Sequence, residues 1–328
     1  MFKKLKKPYI IAEIGSNHNG NMKICKKMII EAKKAGSDAV KFQFFSLNNL
    51  FSQHYFKNNK LDKNEIIKYS LNEKQLRSIF SICKRFKIDV GFTPFGSDAV
   101  KILKKYNPTF YKIASMDCNN YEFIREVALT KKPMISSTGL SKKKEIFQAY
   151  STAKKYSKNF ALLHCTSLYP PNDNQVNLKR IQYFNRIFKV PIGFSDHTLG
   201  INFTLAAIGI GAKIIEKHFT LDKEMSGWDH SMSIDKNELK DLVINSERIY
   251  KGIGRSEIYR VEPLKQIKTF RRSIVAEKDI YKGETFSKLN LSLKRPGSGL
   301  EPIHLKKIIG KKSKKKIEKG SLLKLSDF

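Results

Sequence analysis

The chain has 328 residues, of which 41% are hydrophobic, an ordinary content for a globular protein that buries a core. Lysine and arginine number 63 against 30 aspartate and glutamate residues, so the formal net charge is +33. No run of about 18 uninterrupted apolar residues occurs, and Glu13 breaks the apolar run near the N-terminus. The sequence supports neither a membrane span nor a signal peptide, and we expect a cytoplasmic protein.

The positive charge raises the question of nucleic-acid binding, because lysine and arginine neutralise phosphate backbones. The charge is spread over helical segments, however, which is typical of solvated faces rather than of a binding stripe. Only the dense run at 306–320 keeps polyanion binding open as an alternative. Attraction of small anionic substrates is a second expected effect of the charge.

The cysteines favour a reducing compartment. Cys25, Cys83, Cys118 and Cys165 are widely spaced and form no CxxC pair. This spacing argues against a structural zinc site and against a dense disulfide framework, so we expect reduced thiols.

Eight short apolar runs rich in β-branched and aromatic residues recur along the chain and predict strands. They lie at 9–15, 39–45, 89–95, 110–115, 133–138, 160–166, 191–197 and 212–219. Segments of helical periodicity separate them, with Gly36 as a predicted C-cap of the first, and residues 235–254 predict a closing helix. Eight alternations of an apolar strand and a helix predict a (β/α)₈ TIM barrel, with a doubly wound open sheet as the rival.

The composition and pattern of the sequence change after the predicted closing helix. From about residue 273 the sequence becomes turn-rich and β-like, without long amphipathic helices. We therefore predict a catalytic barrel over 1–255, a linker over 256–272 and a small C-terminal domain over 273–328.

Polar residues close all of the predicted strands, and in a barrel these ends form the active site. They are Glu13, Lys41, Gln43, Thr93, Lys112, Ser115, Ser136 to Thr138, His164, Ser195 to His197, Glu216 and His218. Such a concentration is hard to explain by packing alone.

Two histidines in this set predict a metal site. His197 closes the seventh strand and His218 the eighth, and neighbouring strands lie about 4.8 Å apart. Side chains of like orientation there can share one ion, and Asp229 is the nearest downstream carboxylate. Two imidazoles with oxygen donors and no thiolate favour Mn²⁺-like or Mg²⁺-like ions, or iron, over structural zinc.

Two lysines in the same set predict an anion site. Lys41 and Lys112 end different strands, and with Ser115, Ser137 and Ser195 they offer ammonium and hydroxyl donors to a phosphate or carboxylate. No P-loop or dinucleotide-binding glycine motif occurs in a suitable context. The alternative is that the lysines extend from the strand ends into solvent.

Taken together, the motifs resemble the bacterial sialic acid synthases and their nonulosonate relatives. The matching segments are YIIAEIGSNHNGN, AVKFQ, GFTPF, YKIAS followed by CNN, ISSTG, LLHCTSLYP, GFSDHTLG and EKHFTLDK. The segment FRRSIVAEKDIYKGETFSKLNLSLKRPGSG is similar to their C-terminal antifreeze-like domain, a fold of the β-clip type. The resemblance covers nearly the whole chain in the same order.

The resemblance implies condensation of phosphoenolpyruvate with an N-acylated aldohexose, above all N-acetylmannosamine, giving a nine-carbon 2-keto acid and phosphate. It implies a Mn²⁺ cofactor, with Mg²⁺ or Co²⁺ as alternatives, held by His197 and His218 with Asp229 beside the metal and the sugar. Lys41, Lys112, Ser115, Ser137 and Ser195 match positions that hold phosphoenolpyruvate, and Glu13, Gln43, Thr93 and Tyr169 match other active-site positions. Arg295 matches an arginine that reaches the sugar's acyl group in the neighbouring subunit of a domain-swapped homodimer.

The chain departs from the family pattern at three positions. Asp117 in SMDCNN stands where the family's catalytic glutamate is usual, Ser167 stands where asparagine is common, and Trp228 stands where proline is common. These changes leave a legionaminate or pseudaminate synthase, acting on a diacetamido-trideoxyhexose, open as an alternative. A polyanion-binding protein on a degenerate barrel and an aldolase with a Schiff base at Lys41 or Lys112 are more distant alternatives.

Overall fold

The architecture is taken from a computed structural model of the chain, which describes residues 1–52, 54–55 and 63–328. Two compact units divide the chain, Met1–Gly254 and Arg255–Phe328. Across the described residues, no helix combines the length and the apolar character needed to cross a bilayer.

The first unit is a closed barrel of eight parallel strands. In chain order, β1 to β8 are Tyr9–Gly15, Ala39–Phe44, Asp89–Pro94, Phe110–Ile113, Met134–Ser137, Phe160–Cys165, Ile192–Asp196 and Ile214–His218. Each strand pairs with the next, and β8 pairs with β1, as in the register of Glu13 with His218. This pairing confirms the TIM barrel and removes the open sheet as a rival.

Helices connect the strands and cover the outside of the barrel. We number those described here α1 to α10: Met22–Ala35, Leu47–Leu50, Lys63–Tyr69, Glu73–Phe86, Ser97–Tyr106, Tyr121–Leu129, Lys143–Tyr156, Lys179–Ile187, Asn202–Gly209 and Lys236–Ile253. A short 3₁₀ turn, Ser115–Asp117, follows β4.

Local sequence explains where the first helix begins and ends. The side chain of Asn21 accepts hydrogen bonds from the backbone N–H groups of Lys23 and Ile24, which would otherwise lack partners. Gly36 ends the helix with a φ of 92°, a left-handed conformation that glycine adopts at low cost. The predicted C-cap is therefore confirmed.

Alternation along the strands separates two apolar clusters. Residues such as Ile11, Ala39, Phe110 and Ile214 form a cluster that lies on the same strand faces as the polar strand-end residues two positions later. The other strand faces pack against the helices in a larger cluster. The barrel interior is therefore an apolar plug below a polar layer.

Close packing inside this plug depends on a glycine. A Cβ at Gly91 would lie 2.2 Å from the ring of Phe110 on the neighbouring strand. Only glycine lets β3 and β4 approach with this large ring between them.

The second unit has a small core of its own. Two antiparallel strands, β9 (Ser273–Ala276) and β10 (Leu291–Lys294), are accompanied by short helices α11 (Leu264–Phe270) and α12 (Leu305–Ile308). The buried residues of this core include Ile274, Phe286, Leu291, Ile308 and Leu323. The segment predicted as a linker contains α11 and belongs to this unit.

Candidate active site

A cavity of about 360 Å³ lies at the carboxyl ends of the barrel strands. The predicted residues that line it are Glu13, Lys41, Gln43, Thr93, Lys112, Ser115, Ser137, Tyr169, Ser195, His197, His218 and Asp229. The structure therefore brings together side chains from strands far apart in sequence, as the barrel hypothesis requires.

Two lysines and two glutamates form the floor of this cavity. The Lys41 ammonium lies 2.9 Å from Glu13 Oε2 and 3.8 Å from Glu216 Oε2, and it donates a 2.8 Å hydrogen bond to Thr93 Oγ1. The Lys112 ammonium lies 3.7 Å from Glu216 Oε1. These charged side chains are almost fully buried, so the lysines do not extend into solvent.

The two glutamates have opposite electrostatic environments. Burial favours the neutral form of Glu216, but Lys112 and Lys41 outweigh burial and hold the pKa of Glu216 below its ordinary value. At Glu13, burial prevails over the attraction of Lys41, and the charge on Glu216 adds to it, so the pKa of Glu13 is raised. Of the two carboxyl groups, Glu13 is therefore the one that takes up a proton first as the pH falls.

Hydroxyl groups surround this charged floor. Lys112 donates a 2.6 Å hydrogen bond to Ser137 Oγ, and Ser195 donates a 2.9 Å bond to Glu216 Oε1. The Ser115 hydroxyl accepts a bond of 3.1 Å from the backbone N–H of Gly139. Lys41, Lys112, Ser137 and Ser195 are thus connected through Glu216 in one network, and Ser115 lies beside it.

The two predicted histidines face each other across the upper cavity. Their ring centroids are 5.4 Å apart. His197 Nδ1 lies 3.0 Å from the carbonyl oxygen of Thr166. In the tautomer that donates this hydrogen bond, the proton is on Nδ1, and Nε2 has a lone pair with which it can bind a metal ion. Burial, with the charges of His197 and Lys41, holds the pKa of His218 well below its ordinary value, so its imidazole is neutral.

The donor set fits a divalent ion with an open coordination sphere. His218 Nδ1 is buried without a hydrogen-bond partner among the described residues and lies 3.5 Å from Asp229 Oδ2. In the same ranges, no group of three or more histidine, cysteine, aspartate or glutamate side chains is gathered closely enough to hold an ion alone. Two imidazoles with one carboxylate nearby suit Mn²⁺-like or Mg²⁺-like ions, or iron, that keep water or substrate as further ligands.

Two other predicted residues complete the cavity walls. Gln43 donates a 3.3 Å hydrogen bond to Glu13 Oε1 and so orients that carboxyl group. The ring of Tyr169 lies 4.1 Å from that of His197 and 6.2 Å from that of His218, centroid to centroid. Both residues lie where the sequence places them, and their roles stay predictions.

Two further predicted residues are described separately, Asp117 in the barrel and Arg295 in the second unit. Asp117 belongs to the 3₁₀ turn after β4, where its carboxylate accepts a 3.3 Å hydrogen bond from Asn120; its neighbours Ser115 and Met116 line the cavity instead. Arg295 belongs to the second unit, where its guanidinium lies 5.0 Å from the ring centroid of Phe270. Their proposed catalytic and intersubunit roles stay predictions.

Three other polar residues near the strand ends occupy positions that face outward, because successive residues of a strand point to opposite sides. His164 points away from the cavity, bonding at 2.6 Å to the carbonyl oxygen of Val176 and stacking on Phe194. Asp196 and Lys217, on the outward faces of β7 and β8, form a buried ion pair of 2.9 Å. These residues support the barrel from behind and do not line the cavity.

Sequence reasoning missed two features of the cavity and noted a third, Trp228, only as a departure from the family pattern. Cys165 lines it, with its sulfur 3.9 Å from His197 Nδ1. Gly139 approaches it so closely that a Cβ would lie 2.2 Å from Ser167 Oγ. Trp228 lines it as well, and the unusual loop sequence was the only signal that pointed to this residue.

Comparison with known proteins follows the same division of the chain. The sequence profile of the NeuB family matches residues 28–258, and that of the SAF domain matches residues 271–328. The chain belongs to the NeuB family.

Other NeuB-type proteins extend the comparison over the full length. The N,N'-diacetyllegionaminic acid synthase of Campylobacter jejuni is 38% identical over 98% of this chain and 100% of the relative. The pseudaminic acid synthase of the same species is 36% identical over 98% and 97%. The crystal structure of an N-acetylneuraminic acid (sialic acid) synthetase from Leptospira borgpetersenii, in complex with citrate, superposes with a TM-score of 0.75 at 34% identity, covering 80% of this chain and 90% of that one.

Proposed function

We propose that this NeuB-family protein is a nonulosonate synthase, which condenses phosphoenolpyruvate with an N-acylated aldohexose to a nine-carbon 2-keto sugar acid and phosphate. The observation that carries the proposal is the polarity of the cavity. Its buried floor offers two ammonium groups and several hydroxyl groups to a small anion, and two imidazole side chains lie above that floor.

Lys41 and Lys112 are proposed to bind phosphoenolpyruvate. In the structure both ammonium groups pair with glutamates, so the substrate's phosphate and carboxylate replace or share these partners when they enter. Burial by itself lowers the pKa of Lys41, but Glu13 and Glu216 prevail and raise it, which keeps Lys41 cationic. Ser115, Ser137 and Ser195 supply uncharged donors that fix the orientation of the anion.

His197 and His218 are proposed to hold a divalent metal ion, with Mn²⁺ as the expected cofactor. An ion held there would supply Lewis-acid chemistry, which would make the aldehyde of the open-chain sugar a better electrophile for carbon attack. Asp229, beside His218, is placed to accept a hydroxyl hydrogen bond from the same sugar.

Condensation also needs water at C2 of the phosphoenolpyruvate moiety. Once C3 has attacked the aldehyde, C2 bears positive character, and a water molecule adds there before the phosphate group leaves. Glu13 has the raised pKa and the buried position expected of the carboxyl group that takes the proton from this water. Asp117, predicted for the same step, has its pKa raised by burial too but lies beside the cavity rather than in its lining.

N-acetylmannosamine is the sugar predicted from the motifs, and a diacetamido-trideoxyhexose is the alternative. Names of relatives favour both branches, because the similar proteins include a sialic acid synthetase as well as legionaminic and pseudaminic acid synthases. A domain-swapped homodimer, with Arg295 contributing to the partner's site, is part of the proposal.

Phosphate release tests the proposed reaction. The protein is incubated with phosphoenolpyruvate and Mn²⁺, with N-acetylmannosamine, the legionaminate precursor or the pseudaminate precursor in separate tubes. We expect sugar-dependent release of phosphate with at least one sugar and loss of release in His197→Ala and His218→Ala. Folded protein that releases no phosphate in any tube would refute the proposal, and borohydride trapping of a substrate on Lys41 or Lys112 would favour the aldolase.

A further inference from the structure

Two loops of the barrel are joined to each other beside the cavity. The first loop, residues 16–20, follows β1, and the eighth loop, residues 219–234, follows β8 and carries Asp229. The carboxylate of Asp229 lines the cavity and lies 3.5 Å from His218 Nδ1. The eighth loop contains no helix or strand, so its contacts with other segments decide where this carboxylate lies.

Asn19 and His230 form the main contact between the two loops. The buried His230 ring has its Nε2 at 3.2 Å from Asn19 Oδ1 and its Nδ1 at 2.7 Å from Thr220 Oγ1. The amide of Asn19 donates a 2.9 Å hydrogen bond to the carbonyl oxygen of Ser226. A Cβ at Gly227 would lie 2.7 Å from the His230 ring and 2.9 Å from Asn19 Oδ1, so the eighth loop packs directly on this contact.

Asn17 holds the eighth loop at a second point. Its amide donates hydrogen bonds of 3.0 Å to the carbonyl oxygen of Phe219 and 2.9 Å to Ser233 Oγ. The Ser233 hydroxyl in turn donates a 2.6 Å hydrogen bond to the carbonyl oxygen of Asp229. The side chains of Asn17 and Ser233 are buried, where water competes little for these bonds. The backbone of Asp229 is therefore tied to the first loop as well.

The first loop is itself fixed against the barrel. Asn19 has a φ of 50°, a left-handed conformation that asparagine adopts more readily than most residues. Gly20 follows with a φ of 70°, and a Cβ there would lie 2.3 Å from the carbonyl oxygen of Lys68 in α3. The buried His18 accepts a 3.0 Å hydrogen bond from the Gly20 N–H. The first loop can therefore serve as a support for the eighth.

We infer that Asn19 and His230 are positioning residues, which hold the Asp229 carboxylate at its place in the cavity. Among the described residues that line the cavity, Asp229 is present and Asn19 and His230 are not, so both act through Asp229. Under the proposed function, on which the inference rests, this carboxylate accepts a hydroxyl hydrogen bond from the sugar. A hydrogen bond to a charged group contributes about tenfold or more to affinity, and this contribution is lost when the carboxylate moves away.

Two variants remove the contact from either side. Asn19→Gly accommodates the left-handed backbone, and His230→Phe keeps a ring in the buried space, so both should fold. We expect each to raise the KM for the sugar at least about tenfold and to leave the KM for phosphoenolpyruvate within about twofold. The control is Asn107→Gly, at an exposed residue after α5 with a φ of 58°, which should change neither KM. An unchanged KM for the sugar, or equal increases in both KM values, would overturn the inference.

A double-variant cycle tests whether Asn19 acts through Asp229. In Asp229→Asn the carboxylate is already absent, so the addition of Asn19→Gly should raise the KM for the sugar by less than about twofold. A further increase as large as that in Asn19→Gly alone would show that Asn19 acts by another route, and the inference would fail.

Hydrogen exchange tests the positioning without the reaction. The Ser233 N–H donates to the carbonyl oxygen of His230, and the Ile234 N–H donates to that of His218. In substrate-free protein, we expect peptides covering 220–234 to exchange at least about tenfold faster in Asn19→Gly and His230→Phe, but not in Asn107→Gly. Unchanged exchange in both would refute the positioning, even in protein that releases phosphate. Faster exchange in protein that releases no phosphate with any sugar would refute the proposed reaction and retain the support of the eighth loop.

Discussion

Replacing Lys217 by methionine tests how the barrel holds its two histidine-bearing strands. Lys217 lies between Glu216 and His218 on β8, and Asp196 lies between Ser195 and His197 on β7. Because alternate residues face opposite ways, the outward ion pair fixes the register of four inward side chains. The methionine keeps most of the side-chain volume and removes the charge.

The structure gives the expected magnitude. The ion pair is 2.9 Å long, and both side chains are at most 1% exposed. Coulomb's law with an effective dielectric constant of about 20 gives about 6 kcal/mol for unit charges at this distance. Asp196 keeps hydrogen bonds from the Thr198 N–H and the Thr204 hydroxyl, which stabilise part of the orphaned charge. We therefore expect Lys217→Met to lower the free energy of unfolding by about 3–5 kcal/mol, the range for breaking a buried pair.

Urea unfolding at pH 7, followed by circular dichroism, measures this change. The control is Lys251→Met, which breaks a surface pair with Glu247 in α10 and should leave the midpoint within error. In the double variant Lys217→Met with Asp196→Asn, the buried charge is gone, and we expect more stability than in Lys217→Met alone. A loss below about 1 kcal/mol in Lys217→Met would refute the assignment of this pair as a determinant of the register.

Three further predictions concern the site, the pH response and the metal. A Cβ at Gly139 would lie 2.2 Å from Ser167 Oγ and 2.7 Å from Ser115 Oγ, so Gly139→Ala should displace these cavity residues and lower kcat/KM at least about tenfold. Gly209→Ala, whose Cβ would meet no atom within 4 Å, should leave kcat/KM unchanged. Burial lowers the pKa values of His18 and His164 to about 4, whereas unfolded histidine keeps 6.5. The unfolded chain therefore binds more protons between these values, and the free energy of unfolding should fall by about 3 kcal/mol per histidine as the pH drops from 6.5 to 4. A flat urea-unfolding profile over that window would contradict this. Chelation with EDTA should abolish phosphate release and Mn²⁺ should restore it; undiminished release in EDTA would count against the two-histidine metal site.

Strand positions and their polar ends were accessible to sequence reasoning because both depend on local patterns. The eight predicted strands coincide with β1 to β8 to within two residues at each end. Once the barrel is assumed, alternation alone places Lys41, Ser137 and His218 inside and His164 outside. The closure itself depends on the pairing of β8 with β1, for which no local pattern exists.

Contacts between distant segments could not be predicted in this way. The salt bridges of Glu216 with Lys41 and Lys112 depend on the relative heights of three strands in the barrel. The packing of Trp228 on Phe45 joins a loop after β8 to the end of β2. A single sequence does not give the distances between such segments, so the charged floor of the cavity and the packing of Trp228 beside it could be seen only in the fold.

The floor of the cavity carries no net charge when its two lysines and two glutamates are all ionised, in a chain whose formal net charge is +33. Under the proposed function, different parts of the molecule therefore attract the anionic substrate and recognise it. The electric field of the outer lysines attracts anions of any shape toward the protein. At an ionic strength of about 0.1 M, salt screens this field at distances beyond about 10 Å. At the proposed substrate site, an anion must offer the lysines a better geometry than the glutamates that are already in contact with them. Raising the ionic strength should thus lower the association rate of an anionic substrate far more than it changes the ratio of the affinities for two different anions.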